Sequence, residues 1–274
     1  MKRIKKIGIS VFVSILALVF LLPLVATVCG SFMTQPELNH AFAAGELPHL
    51  LPRRFSLGGY KELLFSDGSY LRMFWNSLLI ASVAALGNAC AGLLVGYGLA
   101  KVRFPCRTVL RFLYIVVMMM PFQVTLLPNY MVLRRLGLLD TLWALMLPGI
   151  FAPLGVFLMT QFLRSMPMEE IKAARLDNAT LPRFLVRIVL PRAWPGLAAC
   201  LLLSFAETWN MVEQPLVLLT TRSLYPLSMA FSASGSDVCT PVMLAGAVLY
   251  MLPALFLYLI FEEELISGIG SASM

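Results

Sequence analysis

The sequence predicts an all-α integral membrane protein. Of its 274 residues, 59% are hydrophobic and only 13% are charged, with a mean hydropathy of +0.85. A soluble domain carries roughly 45–50% apolar and about 25% charged residues. Composition this far from that range leaves too little polar surface to coat a globule in water. The apolar residues are also gathered into six long stretches, and the basic residues fall in the gaps between them.

The stretches are 8–29, 74–99, 109–130, 141–163, 193–220 and 240–261. Each has the length, about 20 mostly apolar residues, that a helix needs to cross the hydrocarbon core. In lipid the backbone must satisfy its own hydrogen bonds, which selects helices over open strands, and the alternating ten-residue strands of a membrane barrel are missing. Lys2, Arg3, Lys5 and Lys6 precede the first stretch, as in a signal peptide. Its apolar run is too long for a signal h-region and no small-residue cleavage site follows, so it reads as a retained helix.

Basic residues set the orientation. With the N-terminus inside, the inner segments hold Lys2, Arg3, Lys5 and Lys6, then Lys101, Arg103, Arg107 and Arg111, then Arg164, Lys172, Arg175, Arg183, Arg187 and Arg192. These are 14 of the 21 Lys and Arg residues, although the outer loops are longer in total. The positive-inside rule places both termini in the cytoplasm of a multi-pass cell-membrane protein. The chain then divides into residues 1–72 (tail, first helix and external loop), residues 73–262 (the remaining helices with an inner loop at 164–192) and a cytoplasmic tail at 263–274. The external loop carries Pro36, Pro48, Pro52, Gly58 and Gly59 and reads as folded.

A net charge of +7 could indicate nucleic acid, but dispersed basic residues without a dense patch exclude it. The five cysteines are odd in number, spread out and without metal-ligand spacing, which supports neither a disulfide framework nor a metal site. His40 and His49 have no neighbouring ligand residues.

The inner loop is the most informative segment. Pro167 suits a first helical turn, where Glu169 and Glu170 complement the helix dipole. Ile171, Ala174 and Leu176 can share a helix face, and Ala173-Ala174 gives it a small, smooth surface. Asp177-Asn178 ends that helix, Asn being tolerant of the left-handed conformation. A second helix follows, with Phe184, Ile188 and Leu190 apolar and Arg183, Arg187 and Arg192 polar. By periodicity alone, this is either a surface on which a partner protein docks or an amphipathic segment lying at the lipid headgroups.

The same residues resemble the "EAA" loop of the permease subunits of binding-protein-dependent ABC importers, and in particular the carbohydrate (maltose-type) branch. Ala173-Ala174 match, nine residues separate Asn178 from Ile188, and Val189, Leu190 and Pro191 complete the I-x-L-P ending. Pro167, Glu169, Asp177 and Ala179 match positions of the sugar branch. Lys172 stands where the motif has Glu, and Asn178 where it has Gly. The resemblance continues through Ser56-Leu57 and Tyr60, Phe74 with Asn76-Ser77-Leu78, Tyr97 to Pro105, Met120-Pro121, Gly137 to Trp143, Trp209-Asn210 and Pro215-Leu216.

The resemblance implies the six-helix type I importer permease fold, with residues 73–262 as the permease domain. It also implies a coupling helix in the loop that meets a cytoplasmic ATPase through Glu169, Lys172, Ala173, Ala174, Asp177, Asn178, Ala179, Ile188, Leu190 and Pro191. The implied partners are a second, homologous permease, two ATPase subunits, and an extracellular or periplasmic solute-binding protein. The expected solute is a sugar or oligosaccharide. No GxxxxGK[ST] phosphate loop occurs in the chain, so ATP with its Mg²⁺ is expected on the partner ATPase, with no cofactor and no catalysis here.

Glu207, Trp209, Asn210, Glu213 and Gln214 lie in the fifth apolar stretch. Polar groups in such a segment are costly and usually face a cavity or a partner. Glu207, Asn210, Glu213 and Gln214 follow i, i+3, i+6, i+7 spacing, so they share roughly one helical face. Amides, carboxylates and an indole suit the hydroxyls and C–H faces of a sugar, which makes this face a candidate substrate pathway. The alternatives are bonding to the sister permease or a watery position at the helix end. Asn76, Ser77, Ser82, Asn88 and Gln123 read as interhelical hydrogen bonders, and Gly92-x-x-x-Gly96 as a close-packing seam. The rival function, a secondary transporter or channel without ATPases, predicts intramembrane ion pairs or broken helices. A membrane enzyme would need a catalytic constellation such as HExxH or GxSxG, and neither occurs.

Overall fold

The computed structural model describes residues 2–43, 52–66, 68–166, 181–232 and 240–272, and these residues form helices and connecting turns. The main helices are α1 (Lys2–Ser31), α2 (Gln35–Ala43), α3 (Gly58–Phe65), α4 (Ser69–Lys101), α5 (Arg107–Met118), α6 (Phe122–Arg135), α7 (Trp143–Ile150), α8 (Pro153–Ser165), α9 (Leu190–Trp209), α10 (Glu213–Leu218) and α11 (Pro241–Ala272). Among the described residues, five spans are long and apolar enough to cross a membrane: Gly8–Ser31, Ser69–Lys101, Trp143–Ser165, Leu185–Trp209 and Pro241–Glu264. A sixth is counted if α5 and α6, bent by 104° at their junction, form one span. The chain divides into two compact units, residues 1–72 with 230–252, and residues 73–229 with 253–274.

In the first unit α1 is apolar on every side from Gly8 onward, and Phe12, Leu18 and Phe20 stand exposed. A helix apolar all round belongs in lipid. Its end is fixed by the segment that follows. Ser31 Oγ and Tyr60 Oη share a hydrogen bond at 2.8 Å, and Phe32 stacks on Phe55 with centroids 4.8 Å apart. A Cβ at Gly59 would come within 2.6 Å of the Pro241 carbonyl oxygen, so the backbones meet there only because the residue is glycine. Tyr70 Oη donates to Gly246 O at 2.7 Å.

The second unit is organised by a seam of small residues. A Cβ at Gly92 would lie 2.7 Å from the Gly155 backbone, and one at Gly96 would lie 2.9 Å from Met159 Cβ. This lets α4 and α8 approach closely, as small-xxx-small pairs do in membranes. Asn88 sits on the same seam, fully buried. Its Nδ2 donates to Ile150 O (3.1 Å) and Ala152 O (2.8 Å), and its Oδ1 accepts from Ser204 Oγ at 2.8 Å. Both amide donors and the amide acceptor are therefore used. One side chain ties α4, the junction of α7 with α8, and α9.

At one end of this unit Tyr97, Met159, Leu163, Phe184, Val189 and Leu197 form an apolar core. At the other, Ile80, Leu133, Leu145, Leu218 and Leu219 form a second. Beside the second core, Asp140 takes a positive φ of 57°. Its carboxylate accepts from the backbone N–H groups of Thr220 (2.9 Å) and Thr221 (2.8 Å) and from Thr221 Oγ1 (2.6 Å). These bonds to the charged form, the Thr221 hydroxyl first, hold its carboxyl well below the usual carboxylate range. Asp140 thus fastens the α6–α7 turn to the segment after α10.

The fifth stretch differs from its expected 193–220. Among the described residues it begins as an α-helical turn at Leu181–Phe184, passes through a π-helical turn at Leu185–Val189, runs into α9 and stops at Trp209. Asn210 Nδ2 donates to Ala206 O at 2.8 Å, the carbonyl that the Asn210 backbone N–H also bonds at 3.2 Å, and so caps the helix end. Pro215 has no N–H to offer the Met211 carbonyl four residues earlier, and Ser228 Oγ bonds that carbonyl instead. The chain restarts as α10, with Pro215 in its first turn, where proline is tolerated. Glu207, Asn210, Glu213 and Gln214 therefore do not share one helical face.

Replacing Asn88 with Ala strands two carbonyls and a hydroxyl. The expected loss is about 2 kcal/mol of stability, measurable as a lower thermal midpoint of the purified protein in detergent, whereas Gly98→Ala, where a Cβ meets nothing within 4 Å, leaves the midpoint unchanged.

Candidate functional site

Three helix interruptions in the second unit surround one cavity. They are Met119–Pro121 between α5 and α6, Phe151–Ala152 between α7 and α8, and Asn210–Val212 between α9 and α10. Each has a proline at it or just beyond it (Pro121, Pro153 and Pro215), and each break frees backbone groups that lipid could not satisfy. The breaks enclose about 430 Å³. Met118, Met120, Phe122 and Phe151 give the cavity apolar walls, and Ser204, Glu207, Thr208, Gln214 and Asn129 give it polar groups. Mostly apolar walls with a few convergent polar groups are the usual make-up of a small-molecule site.

The candidate pathway residues separate. Glu207 and Gln214 line the cavity. Trp209 does not: it is 1% exposed, stacked on Phe205 (5.4 Å between centroids, 15° between planes) and edge-on to Phe74 at 5.9 Å. Asn210 is committed to the end of α9. Glu213 lies in the first turn of α10, where Gln123 Nε2 donates to both its carboxylate oxygens at 3.2 and 3.1 Å. That pair joins the starts of α6 and α10, and its negative charge complements the helix N-terminus.

The cavity residues Ser204, Thr208 and Asn129 were not singled out by sequence. Neither were Met118, Met120 and Phe151 as lining residues. The available signal was the recurrence of proline inside three apolar stretches, which marks where non-helical backbone gathers.

Of the candidate coupling residues, Glu169, Lys172, Ala173, Ala174, Asp177, Asn178 and Ala179 lie outside the described residues. Those at the loop's return are described. Ile188 and Leu190 are partly buried against the core of Tyr97, Met159 and Leu163, while Pro191 is exposed near the start of α9. The Leu190 N–H donates to Leu185 O, five residues back, which is the wider π spacing. That widening precedes Pro191, which has no N–H for the Arg187 carbonyl. Phe184 meets Tyr97 edge-on at 5.8 Å. On the outgoing side, the half-sequestered Lys101 donates from Nζ to Met166 O at 2.6 Å. Both ends of the loop are thus fastened to α4 and the core.

Apolar spans interrupted around a polar-lined cavity define a polytopic membrane protein built to pass a solute between its helices. Residues 89–262 match the family model described as "Binding-protein-dependent transport system inner membrane component". The arabinooligosaccharides transport system permease protein AraQ of Bacillus subtilis (strain 168) is 28% identical over 96% of this chain and 94% of its own. The sn-glycerol-3-phosphate transport system permease protein UgpE of Pectobacterium atrosepticum is 30% identical over 72% of each chain. A chain in the crystal structure of a bacterial ABC transporter involved in the import of the acidic polysaccharide alginate shares the fold, with a TM-score of 0.77 and 22% identity over 95% of this chain and 96% of that one. This chain belongs to the family of binding-protein-dependent transport system inner membrane components, the permease subunits of ABC importers.

Trp209 acts through packing. Trp209→Ala is expected to lower stability by about 3 kcal/mol, read as a lower thermal midpoint and lower abundance in the membrane. Solute affinity of the surviving protein should be unchanged.

Proposed function

We propose that this chain forms, with a second homologous permease, the membrane pathway for a neutral sugar or oligosaccharide. An external binding protein delivers the solute, and two separate ATPase subunits supply the work from ATP and Mg²⁺. The chain itself holds no nucleotide and catalyses nothing. It lies in the cell's inner membrane with both termini in the cytoplasm, the side on which the 164–192 loop meets an ATPase. The carbohydrate class is supported by the relatives named for arabinooligosaccharide transport and by the cavity.

The observation that carries the reading is the lining of that cavity. Hydroxyl, amide and carboxylate groups from Ser204, Thr208, Gln214, Asn129 and Glu207 stand among Met and Phe side chains. Hydroxyl-rich solutes bond the former, and their C–H faces pack against the latter. Among the described lining residues Glu207 is the one ionisable group. A carboxylate lining the site repels anions, so a neutral solute is favoured over a phosphorylated or acidic one. Broken helices also occur in carriers that work without ATPases. Membership of the importer family favours the ATP-driven reading.

Population shift supplies the mechanism. Nucleotide must bind one state of the assembly preferentially to move it between inward- and outward-facing forms. The loop is the point where that preference reaches the membrane helices. Glu169 and the small Ala173-Ala174 surface would seat on the ATPase, with Lys172, Asp177, Asn178 and Ala179 at and after the contact. Ile188, Leu190 and Pro191 would carry the displacement into α9.

Glu207→Gln removes a charged hydrogen-bonding partner. Solute uptake by the assembled importer should fall by about tenfold while ATPase binding is kept; unchanged uptake would sink the pathway assignment. Ala174→Arg places a bulky charge on the proposed docking surface. Co-purification of the ATPase should be lost, and its survival at wild-type level would remove the coupling role.

A further inference from the structure

A second cavity, of about 350 Å³, opens between α5 and α8 at the end of the second unit where the basic residues gather. Two guanidinium groups from different helices line it, Arg111 of α5 and Arg164 of α8, with Thr108 and Gln161 between apolar walls that include Phe112 and Phe157. No acidic residue lines it among the described residues. The neighbouring cations are otherwise engaged: Arg107 Nη1 donates to Val102 O at 2.9 Å and Lys101 Nζ to Met166 O at 2.6 Å. Arg111 contributes Nη2 to Thr108 Oγ1 at 3.4 Å, a long bond, and its Nε is buried without an acceptor.

A buried guanidinium N–H left unmatched is costly, so the pocket calls for an anionic acceptor. We infer that Arg111 and Arg164 bind the phosphodiester headgroup of an anionic phospholipid. The planar fork of arginine matches phosphate oxygens in pairs. Position favours a lipid over a free phosphate ion. The outward face of α5 is apolar and exposed at Val109, Phe112 and Leu113, which suits acyl chains running down from a headgroup held at the helix end. Basic pockets between membrane helices on the cytoplasmic side hold acidic headgroups for this reason. The site is separate from the solute cavity, and its occupancy does not depend on which solute is carried.

The test uses the complete importer, purified with its partner subunits into nanodiscs of phosphatidylglycerol mixed with phosphatidylcholine. Native mass spectrometry should find phosphatidylglycerol retained over phosphatidylcholine by at least about tenfold. Arg111→Gln with Arg164→Gln should abolish that preference in a complex that still elutes as one assembly. If the double variant does not assemble, Arg164→Gln alone, at an exposed position, should weaken the preference, and Arg111→Lys should keep part of it. Equal retention by wild type and variant overturns the assignment. So does displacement of the lipid by excess inorganic phosphate, which marks a free-anion site. Absence of retained phosphatidylglycerol in the wild-type complex, as when a partner subunit covers the pocket, overturns it as well.

Discussion

The Asn88 amide is the constraint on which the helical bundle of the second unit depends. An amide buried among apolar helices is stable only when every donor and acceptor is met, and here the partners come from three different elements. Two of those partners are the carbonyls of Ile150 and Ala152, which are in or beside the break between α7 and α8. The amide therefore does more than join helices. It satisfies backbone groups that the break exposes, and so permits non-helical chain at membrane depth. The glycines at 92, 96 and 155 let α4 come close enough for this to happen.

The breaks in turn make the cavity. Residues at each interruption line a common space, and Pro121, Pro153 and Pro215 stand at or just beyond the three breaks. The chain bends by 104° between α5 and α6. Glu213 and Gln123 close one side of the arrangement by linking the two helix starts. Glu207, in the last turn of α9, is left facing the space. Its neighbours Ser204 and Thr208 are positioned by the same last turns of α9.

The loop at 164–192 is joined to this architecture at both ends. Lys101 holds the Met166 carbonyl as the chain leaves α8. On the return, Phe184, Ile188, Val189 and Leu190 are set into the core around Tyr97. A push on the loop would therefore act on α4, α8 and α9 together, and the last of these ends at the solute cavity. That continuity of packed elements is the physical link between the proposed docking surface and the proposed pathway.

The sequence by itself determined the solvent, the helices and the family. Apolar length and composition dictate membrane helices because lipid offers the backbone no partners, and the Ala173-Ala174, Asn178 and Ile188-x-Leu190-Pro191 spacing carried the resemblance to importer permeases. Asn88 and the Gly92–Gly96 seam were also legible, since a lone amide or small residue on an apolar helix has few other uses. Only the tertiary structure decided which polar residues face the cavity. Helical periodicity placed Glu207, Asn210, Glu213 and Gln214 on one face, but that projection holds only while the helix continues. Pro215 and Asn210 end it at Trp209, and the indole is drawn between Phe205 and Phe74. A side chain's direction past a break depends on contacts with residues far away in sequence, which a single helix pattern does not contain.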